Sequence, residues 1–168
     1  MRYSIDMENP IVGIIMGSDS DLDVMTPAKE ILDKFGIKSE VRIVSAHRTP
    51  SEMTEYAKSA ASRGIKVIIA GAGGSAHLPG MTASETTLPV IAIPVRKSGH
   101  GHEALWSNIK MPPGIPLATM PENGAYNAGL LAARILALND SSLAEKYSQF
   151  VEKQRLEVIQ KDQQISQA

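Results

Sequence analysis

Short apolar runs rich in Val and Ile recur along this chain, each closing on a loop of small or polar residues and most leading into a helix-period stretch. Ile11 to Met16 (IVGIIM) ends in Gly17-Ser18; Leu22, Met25, Ala28, Ile31, Leu32 and Phe35 then repeat at helical spacing until Gly36 stops them. An unbroken β-branched run suits a strand buried on both faces, which has no solvent face to fill with polar side chains. Val41 to Val44 is a second strand, closed by Ser45-Ala46-His47-Arg48-Thr49-Pro50 and followed by a helix from about Ser51 to Ser62. Val67 to Ala70 is a third, and Gly71-Ala72-Gly73-Gly74-Ser75-Ala76-His77 leads into a helical stretch ending near Thr87. Pro89 to Pro94 is a fourth and Ile115 to Met120 a fifth; Asn123 to Leu138 is a helix rich in Ala and Gly, and Asp140 begins a last helix. Such alternation predicts an α/β protein, a three-layer αβα sandwich with a parallel sheet in the middle.

At 168 residues the chain is sized for one domain, 1–168, with residues 1–9 as an N-terminal extension and about 140–168 as a helical arm. The second half of that arm, from Lys153 onward, is polar and Gln-rich. Either it frays in solvent or it lies on another subunit, and the second is the expectation. A net charge of -1 supplies no cationic footprint for nucleic acid, and 4% aromatic residues leave few platforms for stacking bases. The first ten residues, MRYSIDMENP, do not read as a signal peptide, and no run of about 18 apolar residues predicts a spanning helix. With no cysteine, thiolate chemistry is excluded. The expectation is a cytoplasmic protein with neither membrane nor nucleic acid as partner.

In an open parallel sheet, ligands bind beyond the carboxyl ends of the strands, where strand order reverses. That rule selects four loops, and all four histidines, His47, His77, His100 and His102, fall in them. In the first loop, Ser18 and Ser20 either cap a helix or bring hydroxyl and backbone donors to an anion such as phosphate. Asp21 is discordant there, because a carboxylate repels phosphate but accepts hydrogen bonds from a ribose. The second loop offers the Ser45 hydroxyl and the Arg48 guanidinium, suited to bidentate phosphate contact. Between them His47 is either a loop residue bonded to backbone or a proton carrier, since imidazole titrates near neutrality. The third loop, AGAGGSAHLPGM, lets backbone approach a flat or carboxylated ligand, but it fits neither the dinucleotide fingerprint nor a Gly-Lys-Ser/Thr phosphate loop. The fourth, Arg96 to Glu103, reads as a polar lid, with Arg96 and Lys97 either helping to hold an anion or merely solvated. His100 and His102 are too few for a metal site, and none is expected.

Taken together, MGSDSD, IVSAHRTP, AGAGGSAHLPGM and MPPGIPLAT resemble the class I N5-carboxyaminoimidazole ribonucleotide mutases of purine biosynthesis, over about residues 10 to 140. The resemblance implies a flavodoxin-like domain assembled as a homo-octamer, with neither metal nor organic cofactor. The implied reaction moves a carboxyl group from the exocyclic nitrogen of the ribonucleotide to its ring carbon, on the route to inosine monophosphate. By the same resemblance, Ser18, Ser20, Ser45 and Arg48 hold the 5′-phosphate, Asp21 holds the ribose, and His47 is the catalytic acid and base. The stretch from Gly71 to Leu78, with Gly73, Gly74, His77 and Leu78, takes the imidazole and its carboxylate. The chain departs from the family pattern at Arg96 to Ser107 and at Pro121 to Tyr126. A direct carboxylase fed by carbon dioxide is the nearest alternative, and Arg48 with the AGAGG loop favours the mutase. A non-catalytic nucleotide sensor would leave His47 idle.

Overall fold

The computed structural model describes residues 9–99 and 101–166. The apolar runs form the middle of one parallel sheet: β1 (Val12–Met16) and β4 (Val90–Val95) are buried along their whole length, and β3 (Val67–Gly73) is buried up to its last residue. Their side chains alternate between two helix layers, which is why no polar residue interrupts them. Val12, Ile14, Met16, Ile69 and Ile91 face α1 (Leu22–Phe35), α5 (Ala125–Ala137) and the start of α6 (Ser141–Ser166). Ile15, Ile68 and Ala70 face the other way, onto α2 (Pro50–Ala60), α3 (His77–Glu85) and α4 (Glu103–Ile109).

Strand order is β2-β1-β3-β4-β5, with β2 spanning Ser39–Ile43 and β5 spanning Ala118–Thr119. The chain leaves β1 toward one edge, forms β2, and returns past β1 to form β3, so the order reverses between β1 and β3. Register levels the carboxyl ends there: Met16 pairs with Ile43 on one side and with Gly71 on the other, and Gly71 pairs with Ile93. Four loops therefore leave the sheet from one rim.

Several elements differ from the sequence reading for identifiable reasons. β2 begins two residues earlier and stops one earlier than expected, and as an edge strand it leaves Val41 and Ile43 exposed. β5 shrinks to two residues, because Pro112, Pro113 and Pro116 leave few backbone donors before it. Pro94 is tolerated inside β4 because pairing with β5 ends at Ala92. Glu103, the last residue of the expected lid, opens a short helix that the sequence reading did not assign, α4 (Glu103–Ile109). His77 is the first residue of α3 and not a loop residue, so the placing of every histidine in a loop is corrected. Ser18 caps a 3-10 turn, Asp19–Asp21, while α1 starts after Asp21 without a side-chain cap.

The arm is helical as predicted. Asp140 Oδ1 accepts from Leu143 N at 3.0 Å at its start, and Tyr147 and Phe150 pack on Phe35 with ring centroids 5.5 Å away. From Val151 to Ser166 every residue is exposed, and at 1.5 Å per residue this part projects about 24 Å. No helix of the described residues is long and apolar enough to cross a membrane.

Close approach of α5 to α1 depends on Gly129. A Cβ there would meet Ile31 Cγ2 and lie 2.9 Å from Ala28 O, and a backbone carbonyl cannot swing aside. Gly129→Ala should therefore destabilise the protein by about 1–3 kcal/mol through overpacking, against a gain of roughly 1 kcal/mol in helix propensity. Urea unfolding measures the sum, and a midpoint at or above that of the parent protein would show that the helices separate freely.

Candidate active site

Four loops on one rim enclose a cleft of about 580 Å³, within the range of small-ligand sites. The first loop contributes Gly17, Ser18, Ser20 and Asp21. Ser18 Oγ accepts from Ser20 N at 3.3 Å and from Ser20 Oγ at 3.1 Å, so capping turns both hydroxyls to one side of the turn. Asp21 is buried, and its carboxylate meets Lys97 Nζ at 3.2 Å.

The second loop is fixed by its own hydroxyls. Ser45 N donates to Thr49 Oγ1 at 2.8 Å and Arg48 N donates to Ser45 Oγ at 3.2 Å, a turn that leaves the His47 and Arg48 side chains exposed. Arg48 NH2 then donates to Gly17 O at 2.7 Å, tying the second loop to the first.

The third loop turns sharply because Gly74 and Ala76 both take left-handed backbone, at φ 60 and φ 45. Ala76 N donates to Gly73 O at 3.1 Å, and α3 starts at the next residue with no side chain capping it. A Cβ on Gly73 would lie 3.1 Å from Val95 O, so the backbone itself forms this wall. The turn carries His77 to the second loop: His47 Nε2 and His77 Nδ1 are 2.8 Å apart, with the rings at 76°. One of these nitrogens donates and the other accepts, so the facing pair holds a single proton between them.

All ten residues named from sequence lie on this cleft: Ser18, Ser20 and Asp21; Ser45, His47 and Arg48; Gly73, Gly74, His77 and Leu78. Leu78 is buried and serves as floor. The fourth loop divides its two cations. Asn123 pins its base, accepting from Arg96 N at 2.8 Å and donating through Nδ2 to Arg96 O at 2.9 Å. Arg96 reaches Glu122 at 3.3 Å, and His102 Nδ1 reaches Glu122 Oε1 at 2.9 Å. Lys97 lines the cleft and donates to Ser20 Oγ at 2.7 Å. Sequence reading left Lys97 undecided and missed Glu122 and Asn123. The signal for Lys97 was its place two residues beyond β4, whereas nothing local marks Glu122 as a partner for residues 20 and 26 positions away. His100 lies outside the described residues.

Comparison with known proteins gives the same region a lineage. The chain is 57% identical over 159 residues to the N5-carboxyaminoimidazole ribonucleotide mutase of Thermotoga maritima, covering 94% of this chain and 93% of that one. It is 56% identical over 160 residues to the phosphoribosylaminoimidazole carboxylase of Saccharomyces cerevisiae, of which it covers 28%. The crystal structure of Treponema denticola PurE superposes with a TM-score of 0.85 at 32% identity, covering 93% of this chain and 98% of that chain. The AIR carboxylase family model matches residues 11–157, which include all four loops, and the chain belongs to that family.

Proposed function

We propose that this protein interconverts N5-carboxyaminoimidazole ribonucleotide and 4-carboxy-5-aminoimidazole ribonucleotide in purine biosynthesis, with His47 as general acid and then general base. The observation that carries the reading is the His47–His77 pair, 2.8 Å apart, set between two Ser-bearing loops and a wall of bare backbone. Relatives bearing the mutase name at half or more identity support it.

The chemistry follows from the groups present. Ser18, Ser20, Ser45 and Arg48 offer hydroxyl and guanidinium donors to the 5′-phosphate, and Asp21 offers acceptors to the ribose. Gly73 and Gly74 let the imidazole and its carboxylate lie against backbone, over the floor at Leu78. His47 gives a proton to the carbamate nitrogen, the C–N bond breaks, and carbon dioxide is released beside an electron-rich ring carbon. That carbon attacks carbon dioxide, forming the new C–C bond. His47 then removes the proton left on the ring carbon and returns to its starting form. The proton balance closes on one imidazole, so the reading calls for no metal or organic cofactor. Confinement in the cleft keeps carbon dioxide at high effective concentration between the two halves.

The experiment is a paired assay, one with the carbamate and one with aminoimidazole ribonucleotide plus bicarbonate. Turnover of the carbamate is expected to dominate, and efficient turnover of the second mixture alone would make the protein a direct carboxylase. In the same assay His47→Asn should lose at least about 1,000-fold in kcat while binding the nucleotide product almost normally. Undiminished turnover would remove His47 from the mechanism. Arg48→Ala should raise KM by about 10-fold or more, as expected for losing a charge-assisted contact to phosphate. An unchanged KM would count against that role.

A cytoplasmic homo-octamer belongs to the same reading. A charged ribonucleotide does not cross membranes unaided, so its consumer shares the compartment where it is made. Assembly is supported by apolar surface that one chain leaves open: Leu138 is 81% exposed, Trp106 is half exposed, and Val158 and Ile165 lie exposed on the projecting part of α6. Light scattering on the full chain should give eight subunits, and removing residues 152–168 should give a smaller particle; a monomeric full-length protein would overturn the assembly.

A further inference from the structure

A buried carboxylate beside two hydroxyls offered to phosphate is a contradiction in charge, and the cleft contains its resolution. Asp21 has a side chain only 8% exposed, and it shares the first loop with Ser18 and Ser20. Phosphate brought to those hydroxyls would lie close to the buried Asp21 carboxylate, and the two like charges would repel. Lys97 Nζ stands at that junction, 3.2 Å from Asp21 Oδ1 and 2.7 Å from Ser20 Oγ. It arrives from the opposite side of the cleft, 77 residues further along the chain.

Resting on the function proposed above, we infer that Lys97 is a phosphate-contacting residue: it neutralises Asp21 and transfers the hydrogen bond it gives Ser20 Oγ to the 5′-phosphate when the ribonucleotide binds. Three features carry this. First, Arg48 is partly committed to structure, with NH2 on Gly17 O at 2.7 Å, so the first loop needs a second cation. Second, the backbone beneath Lys97 is held, since Asn123 bonds both the N and the O of Arg96, while the Lys97 side chain is 46% exposed. A fixed base with a flexible four-carbon stem lets the ammonium swing between neighbours without moving the loop. Third, its three donors suit both anions at once, because Lys binds phosphate as a point charge and has no planar geometry to satisfy. With the ammonium still beside it as a counter-charge, Asp21 offers its remaining lone pairs to the ribose hydroxyls. The consequence is specificity: the site demands the phosphorylated form of its ligand.

The test compares the parent protein, Lys97→Gln and Lys97→Arg by calorimetric titration with three probes: 4-carboxy-5-aminoimidazole ribonucleotide, its dephosphorylated nucleoside, and inorganic phosphate. Lys97→Gln should weaken the ribonucleotide by about 10-fold, in the range of one charge-assisted hydrogen bond, and weaken inorganic phosphate likewise. The nucleoside should bind unchanged, and Lys97→Arg should recover most of the loss. In turnover the Gln variant should show a raised KM with kcat largely kept. Equal weakening of nucleotide and nucleoside would assign Lys97 to the imidazole carboxylate or to the shape of the cleft, and would overturn the inference; so would an unchanged nucleotide affinity. If the parent protein binds phosphate but does not turn over the carbamate, the proposed function fails, while the phosphate titrations of the variants still decide the role of Lys97. A Gln variant that binds phosphate as the parent does would end that role.

Discussion

Everything at the cleft depends on the reversal of strand order between β1 and β3. Had β2 been followed by a strand beyond it, the loops after β1 and β3 would be separated by a full strand width or more. Because the chain crosses back, these strands are neighbours, and the parallel register sets Met16 against Gly71. Helices on opposite faces then leave a crevice that neither layer covers. A shift of register would raise one loop relative to the next, and with nearly every side chain of β1 and β3 buried on one face or the other, the core resists such a shift.

On that scaffold the polar groups are bound to one another across loops. Arg48 joins the second loop to the first, His47 joins the second to the third, and Lys97 joins the fourth to the first. Each link connects residues 30 or more apart in sequence, so the loops hold one another's positions once the sheet has placed them. The left-handed Ala76 is part of the same device. It stores a small backbone strain, about 1–2 kcal/mol for a residue with a Cβ, and in return aims His77 at His47.

The central strands were legible in the sequence because burial on both faces demands continuous Val and Ile, and helices α1 and α5 were legible because they must present an apolar stripe to that sheet. Where burial is incomplete the signal weakened. β2 sits at an edge and mixes Glu40 and Arg42 with Val41 and Ile43, and β5 is too short to have a period of its own. Helix α4, only seven residues long between Gly101-His102 and the prolines from Pro112, is too short to show a helical period. For the cleft, a single topological rule was enough to gather ten residues from the three strand-to-helix connections and the ends of the elements they join. The partnerships were not legible: that Lys97 turns inward while Arg96 turns toward Glu122 is decided by Asn123, 26 residues beyond Lys97, and only the fold brings them together.

The energetics of these partnerships suit a site that must exchange them. Exposed ion pairs contribute about 0–1 kcal/mol, and a neutral hydrogen bond in water nets roughly 1 kcal/mol. Arg48 with Gly17 and the two histidines are each paired at the cleft surface, so each keeps its geometry at little thermodynamic depth, while the half-exposed Lys97 reaches from that surface to the buried Asp21. A ligand that supplies a phosphate, two hydroxyls and a carboxylate can replace such partners one for one and need not create order from flexible side chains. Preorganisation and easy release thus have a common origin: the loops are positioned by the sheet, whose core is deep, and the reactive groups are held by contacts shallow enough to trade.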